Sequence, residues 1–299
     1  MNKWLKRGLL VVGMLIGLLV LAVGAAVAYG QLTFGRTIER DLYPIEADTS
    51  PEGIARGEYL VERVIACSGC HSEHDGGVLS GTYENVSLGP IRGTITFSNL
   101  TPDVETGLGA WSDAEIARAI REGIGRDGRE LYIMPSQMFH EMSDADVAAI
   151  VGYLRSLEPV RNELPEMSGN IFGKAALALH LLTPSAVGDP ITAPHVAPEP
   201  GTLAYGEYLV TIGLCQDCHG ENLQGGKSPA ADALPAPNLT SSGHLGAWTE
   251  AQFIDTLRFG TTPEGRLLDP EQMHWPLYGR MTDEDLRTIF LYLRSLPGN

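Results

Sequence analysis

The sequence predicts an all-α protein: two tandem helical domains behind a single N-terminal transmembrane helix. Three observations lead there. Residues 9–29 form one uncharged and almost wholly apolar run. Two stretches further on repeat one another nearly phrase by phrase. Within each copy, apolar residues recur at the helical period behind clear N-terminal caps, and no convincing run of alternating strand residues interrupts them.

The apolar run, "LLVVGMLIGLLVLAVGAAVAY", is 21 residues long. At 1.5 Å per residue it extends about 31 Å as a helix, enough to cross a bilayer. Lys3, Lys6 and Arg7 precede it, and such a cluster stays on the cytoplasmic side and sends the remainder outward. Residues 1–30 are therefore read as a retained anchor. Ala26-Val27-Ala28 resembles a signal-peptidase site, but the run is long for a cleaved leader. Either reading exports everything after residue 30. Of 21 basic residues only those three lie in the first 30, where no acid occurs, so the exported part sets 18 basic against 37 acidic residues. That balance repels nucleic acid and anionic lipid headgroups, and it either favours basic protein patches as partners or serves solubility alone.

The repeat defines the domains. "RGEYLV" at 56–61 returns as "YGEYLV" at 205–210, "SNLTPDVETGLGAWSDAEI" at 98–116 as "PNLTSSGHLGAWTEAQF" at 237–253, and "MSDADVAAIVGYLRSL" at 142–157 as "MTDEDLRTIFLYLRSL" at 281–296. The first unit is placed at 52–160 and the second at 201–299, each of ordinary domain size at about 100 residues. Residues 161–200, rich in Pro and Gly, read as a linker with a short helix at "IFGKAALALHLL". Ser112 with Glu115 forms a capping box with Trp111 and Ile116 as its staple, and Thr249, Gln252, Trp248 and Phe253 repeat it. Gly123 and Gly260 end those helices. The last helix of each unit starts at Ser143 or Thr282 and carries the stripe Val147, Ile150, Val151, Leu154 or Leu286, Ile289, Phe290, Leu293.

The four cysteines of the chain all lie in two motifs, "CSGCH" at 67–71 and "CQDCH" at 215–219. Outside the cytoplasm paired cysteines ordinarily become disulfides, and paired Cys-x-x-Cys motifs also hold zinc. Zinc pairs, however, sit about 15–20 residues apart, and these are far more widely separated. A Cys-x-x-Cys pair followed at once by His is the attachment signature of c-type haem. Cys67 and Cys70, and Cys215 and Cys218, supply thiols on one helical turn for the two vinyl groups, and His71 and His219 supply an imidazole to each iron. Two covalent haem c groups are the expected cofactors.

The order helix, Cys-x-x-Cys-His, loop, capped helix, methionine, final helix resembles the class I cytochrome c domain. "NLTPDVETGLGAW" followed by Met134-Pro135 and "MSDADVAAIVGYLRSL" is similar to the cytochrome subunits of membrane-bound bacterial alcohol and gluconate dehydrogenases, although this chain has two haem motifs where that family has three. The resemblance implies an electron-transfer protein rather than an enzyme.

Each iron needs a second axial ligand. Met142 and Met281 sit at the residue before each final N-cap and read as staples against Val147 and Leu286. Met138 and His140 align with Leu277 and Gly279 and are unmatched. Met134 and Met273, each eight residues before the staple methionine, remain as the matched pair, and the family resemblance also implies the Met of the Met-Pro dipeptide. The second copy reads Met273-His274, so His274 is a rival. Trp111 and Trp248 are expected to line the haems or to act only as staples. Asn99 and Asn238 are expected to meet a propionate or to cap a turn. Gly89-Pro90 is expected to offer a carbonyl to the His71 N–H.

With His and Met on both faces an iron has no vacancy for substrate and can only change oxidation state. The expected function is a dihaem relay, single-pass in the cytoplasmic membrane with its haem domains on the periplasmic side. It takes electrons from a membrane-bound dehydrogenase or quinol-oxidising complex and passes them to an oxidase or soluble cytochrome. The alternative is a dihaem cytochrome c peroxidase-like enzyme, which needs one iron open.

Overall fold

The computed structural model describes residues 2–74, 76–226 and 235–298. In chain order it contains α1 (Lys3–Thr33), α2 (Pro51–Tyr59), α3 (Ser68–His71), β1 (Thr82–Leu88), β2 (Ile91–Phe97), α4 (Asp113–Glu122), α5 (Ser136–Phe139) and α6 (Asp144–Ser156). Then follow β3 (Ser168–Gly169), α7 (Ile171–Ala178), α8 (Leu203–Ile212), α9 (Cys215–His219), α10 (Glu250–Phe259), α11 (Trp275–Tyr278) and α12 (Asp283–Ser295). α1 is long and apolar enough to cross a membrane, with a mean hydropathy of 2.8 over its most apolar window. Its one buried residue is Gly30, against which Ala175 of α7 lies so closely that a Cβ there would stand 2.4 Å from the Ala175 Cα.

The expected caps are in place. Ser112 and Glu115, and Thr249 and Gln252, close reciprocal capping boxes, and Gly123 and Gly260 end α4 and α10 in the left-handed region at φ 65° and 63°. Ser143 and Thr282 accept the N–H groups of Asp146 and Asp285. All eight residues of the two final stripes are buried. The central crossing of each unit brings a glycine to backbone contact. A Cβ on Gly57 of α2 would meet the Ala149 carbonyl of α6 at 2.0 Å, and one on Gly206 of α8 would meet the Thr288 carbonyl of α12 at 2.5 Å. Only glycine admits that approach.

The all-α expectation needs correcting. β1, β2 and β3 form a three-stranded antiparallel sheet in that order. Its hairpin pairs Thr82 with Phe97 through to Leu88 with Ile91, turning on Gly89-Pro90 with Gly89 at φ 58°. Most of β1 is exposed on both faces, so it carries no apolar alternation to read. The turn dipeptide was its only strong signal. The linker is not a free tether either. Thr96 donates to the Pro165 carbonyl (2.6 Å), Asn162 to the Ser80 carbonyl (3.0 Å), and Thr183 to the Tyr132 carbonyl (2.9 Å), binding residues 162–183 along the first unit.

The two units meet through equivalent residues exchanged across their interface. Tyr208 of the second unit donates to Asp146 of the first (2.7 Å) and accepts the Ser143 N–H (3.2 Å). Tyr59 of the first donates to Asp285 of the second and accepts the Thr282 N–H (3.1 Å). Tyr59 and Tyr208 are the same residue of the repeat, as are Asp146 and Asp285. Each tyrosine thus reaches the N-terminus of the other unit's final helix, a pseudo-two-fold arrangement. Buried side chains of both units, including Leu60, Val61, Leu209 and Val210, belong to one hydrophobic cluster.

Candidate haem centres

Each motif is presented by a strained residue. Ala66 and Leu214, both at φ 59°, stand immediately before Cys67 and Cys215. A left-handed conformation costs a residue with a side chain on the order of 1 kcal/mol. Its occurrence at the same place in both copies marks a shared task. It ends the incoming helix, which in the first unit has already widened into a π-turn over Leu60–Val64. The chain then re-enters a short helical turn carrying the cysteines and the histidine. In the second unit Gly213, the residue after α8, marks this bend in the sequence, and in the first no glycine does.

The histidines are held in one orientation. His71 donates Nδ1–H to the Ser98 carbonyl (2.7 Å), and His219 donates Nδ1–H to the Pro237 carbonyl (2.8 Å). A carbonyl only accepts, so the proton is on Nδ1 and the lone pair of each imidazole is on Nε2, the form in which a metal is bound. Burial pushes both imidazoles below their ordinary value, against the opposing pull of the carbonyl, which keeps them neutral ligands. Burial also pushes the Cys67 and Cys215 thiols up to about 12. None of the four cysteines is in a disulfide.

The carbonyl partner corrects the expectation for Gly89-Pro90, which forms the hairpin turn instead. Ser98 and Pro237 are the residues just before Asn99 and Asn238, so the repeated "SNLT" and "PNLT" phrases held the signal. The asparagines take the turn-capping role. Asn99 accepts the Thr101 N–H (2.9 Å) and gives its amide protons to Thr106 (3.1 Å) and the Val160 carbonyl (2.7 Å). Asn238 accepts the Thr240 N–H (2.8 Å) and donates to Ser242 (3.1 Å). Both protons of the buried Asn99 amide are engaged, which leaves none for a propionate.

A cleft of about 500 Å³ in the first unit is lined by Ser98, Trp111, Gly125, Arg126, Asp127 and Leu131. Met134 follows on the same turn, its N–H donating to the Leu131 carbonyl (2.7 Å). Met134 and Met273 are partly buried against the core, whereas Met142 and Met281 are fully buried within it as the staple reading requires. Pro135 and His274 share one backbone conformation (φ −79°, ψ 49° and φ −68°, ψ 44°) before the short helices α5 and α11. The exchange of Pro for His leaves that turn unchanged. Trp111 lines the cleft, but Trp248 donates its indole N–H to Glu264 (2.9 Å) rather than leaving it for a propionate. Oriented neutral imidazoles, paired thiols outside any disulfide and, in the first unit, a cleft lined by Ser98 and Trp111 together fit a covalent haem.

A profile of the cytochrome c family matches residues 54–158 and again 203–297. The chain is 31% identical to the cytochrome c subunit of a quinone-dependent alcohol dehydrogenase from Gluconobacter oxydans, over 92% of this chain and 60% of that protein. It is 30% identical to the gluconate 2-dehydrogenase cytochrome c subunit of Pantoea cypripedii, over 81% of this chain and 59% of the relative. A dihaem c-type cytochrome of Cereibacter sphaeroides is 27% identical over 79% of this chain and 84% of its own length. The chain thus spans about three fifths of the length of the dehydrogenase subunits and most of the dihaem protein.

Proposed function

This chain belongs to the cytochrome c family and carries two covalently bound haem c groups, and from that premise we propose that it is a membrane-anchored dihaem electron carrier. In this reading it relays electrons on the outer face of the cytoplasmic membrane, from a dehydrogenase or quinol-oxidising complex to an oxidase or soluble cytochrome. When bound, haem c supplies an iron that gains and loses one electron. Cys67, Cys70, Cys215 and Cys218 would hold the two groups covalently, and His71 with Met134 and His219 with Met273 would ligate their irons. A thioether ligand raises the potential and leaves no coordination place for peroxide.

The observation that carries the reading is the duplication itself. His71 with Ser98 and His219 with Pro237 are one built arrangement made twice, each followed by a methionine at the same step of the repeat. The relatives' names support a dehydrogenase as donor. The long exposed apolar helix α1 supports the anchor, as do Ile171, Phe172, Leu181 and Leu182, which stay exposed at or just beyond α7 where it packs on the end of α1.

Ligand substitution tests it. Met134→Ala should remove half of the ferric near-infrared charge-transfer absorbance, open one ferrous iron to carbon monoxide and leave both haems covalently attached. Met273→Ala should do the same for the other half, and His274→Ala should change neither property. Loss of the second iron's ligand in His274→Ala would overturn the Met273 assignment and reopen the peroxidase alternative, and peroxide turnover by the unaltered protein would overturn the carrier assignment.

A further inference from the structure

The two copies of the repeat also differ at the end of α4 and α10 and the loop that follows each. In the first unit, the end of α4 and the loop after it are covered by this chain's own extended segments. Ile38 donates its N–H to the Gly128 carbonyl (2.8 Å), and Thr37 forms a β-bridge with Arg129. Arg40 reaches over to Glu122 (2.8 Å), Phe34 stacks on Tyr132, and the Gly188 N–H meets the Glu122 carbonyl (3.3 Å). Glu122 and Ile124 are left 1% and 0% exposed.

In the second unit the same backbone is present and, among the described residues, no extended segment covers it. Gly260 ends α10 as Gly123 ends α4. The bridge Thr261–Leu267 repeats Ile124–Glu130. Gly265 turns in the left-handed region at φ 82° as Gly128 does at 78°. A Cβ on Gly128 would strike Thr37 at 2.6 Å, whereas at Gly265 it would meet nothing within 4 Å. Thr261 and residues 263–267 are all exposed. The side chains have changed to match. Phe259 stands where the first unit has Glu122 and is 71% exposed, and Leu267 stands where it has Glu130 and is 79% exposed. Glu122 is covered by the strap and the linker rather than lying beside the haem cleft, so the exposure of Phe259 belongs to an outer surface.

We propose that this face of the second unit, made by Phe259, Thr261, Gly265 and Leu267, receives an extended segment of a partner polypeptide. The segment lies as residues 34–40 lie on the first unit, pairing its backbone with the Gly265 turn and setting an apolar side chain over Phe259 where Arg40 meets Glu122. The occupant is a peptide chain because the site offers a strand-like edge as well as apolar surface. A bilayer leaves such backbone groups unpaired, and an added strand satisfies them. The loop concerned runs directly into Met273, so the docked partner sits against the distal side of the second haem centre. This assignment rests on the carrier reading for the partner's role, not for the site.

The full-length, haem-loaded protein in detergent is titrated with two fluorescent peptides of residues 34–45. One has the native sequence and the other carries Arg40→Leu. The Arg40→Leu peptide should bind saturably, and Phe259→Glu should weaken it about tenfold, the equivalent of about 1.4 kcal/mol. Phe259→Glu recreates the acid of the first unit, so it should strengthen binding of the native peptide by a similar factor. Phe259 is exposed, and haem content and melting curve serve as folding controls. Failure of either peptide to bind, or binding indifferent to position 259, overturns the proposal and leaves the carrier reading intact. In native membranes, a photo-crosslinking residue in place of Leu267 should attach to one defined stretch of a different polypeptide. Attachment to lipid, to a second copy of this chain or to nothing overturns it.

Discussion

The crossed tyrosines at the interface predict an asymmetric result from two equivalent substitutions. Tyr208→Phe keeps the ring and removes only the hydroxyl. That hydroxyl donates to Asp146 (2.7 Å) and accepts the Ser143 N–H (3.2 Å), and all three residues are buried, at 8%, 5% and 2% exposure. A hydrogen bond to a charged acceptor contributes roughly 1.5–3 kcal/mol, and a buried N–H left without a partner costs roughly 1–3 kcal/mol. The two contributions overlap, and Arg56 continues to hold Asp146 through two bonds of 2.8 and 3.0 Å. The expected loss is about 2–3 kcal/mol, or about 5–10 °C in melting temperature for a chain of this size. Tyr59→Phe breaks the same two bonds at the other end, but Thr282 is exposed and water replaces the lost acceptor. Its expected loss is about 1 kcal/mol. Burial and the bond to Asp285 push the Tyr59 phenol up to about 12. A phenol whose folded value is raised stabilises the docked form below its unfolded value near 10, and that stability is lost as pH rises from about 10 towards 12. Thermal melts of the haem-loaded protein, with small-angle scattering to follow separation of the units, measure both effects. Equal losses from the two substitutions, or an alkaline separation that persists unchanged in Tyr59→Phe, would refute the reasoning.

Three further outcomes follow from the structure. Arg121 is 1% exposed, bonds Asp144 (2.7 Å) and the Met142 carbonyl (3.1 Å), and lies over the Tyr43 ring. Arg121→Leu should cost about 3–5 kcal/mol in a urea titration, whereas the equivalent Arg258→Leu, whose partner Asp283 is 71% exposed, should cost about 1 kcal/mol. Burial tends to raise the Asp144 carboxyl, but bonds from Arg121, the His195 N–H and Tyr43 outweigh it and hold the group below its ordinary value. That contribution is present above the unfolded value near 3.9 and is lost as pH falls through the lower folded one, so the acid-unfolding curve of Asp144→Asn should be shallower than that of the parent. The full chain should stay with membranes through carbonate washing, and a mature protein beginning near Tyr29 by intact mass would refute the retained anchor.

Much of this was legible because the chain states one unit twice. Caps, stripes and staples depend on residues within a single turn of helix, and Ser112, Thr249, Ser143 and Thr282 all cap where their neighbours predicted. The haem motifs were legible because covalent attachment dictates their spacing. What was not legible depends on contacts distant in sequence or on backbone conformation. The His71 acceptor is a main-chain carbonyl 27 residues away, and any residue type can supply one. Ala66 and Leu214 carry no mark of their left-handed turn. The hairpin escaped because β2 packs on α7 and pairs with β3 while β1 stays mostly exposed, so no alternating apolar face marks either strand. Residues 34–48, lacking any periodicity, gave no sign that they would cover the first unit.

Comparison of the copies then separates what the fold needs from what the position needs. Residues identical in both, such as the tyrosine of "GEYLV" and the aspartate it meets across the interface, are tied to the docking of one unit on the other. At positions where the copies differ, the change follows the surroundings. Arg56 holds Asp146, and its counterpart Tyr205 bonds to Arg56 itself (3.3 Å), so the interface needs only one guanidinium near its centre. Glu122 and Glu130 are acids beneath a cover that carries their partners, Arg40 and the Ser185 hydroxyl. With the cover removed, those positions hold Phe259 and Leu267. Had water been the intended neighbour, the acids would have been the cheaper residues to keep, since exposed carboxylates lose no hydration. Exchanging them for large apolar groups beside an open strand-like edge makes physical sense on a surface that another chain covers.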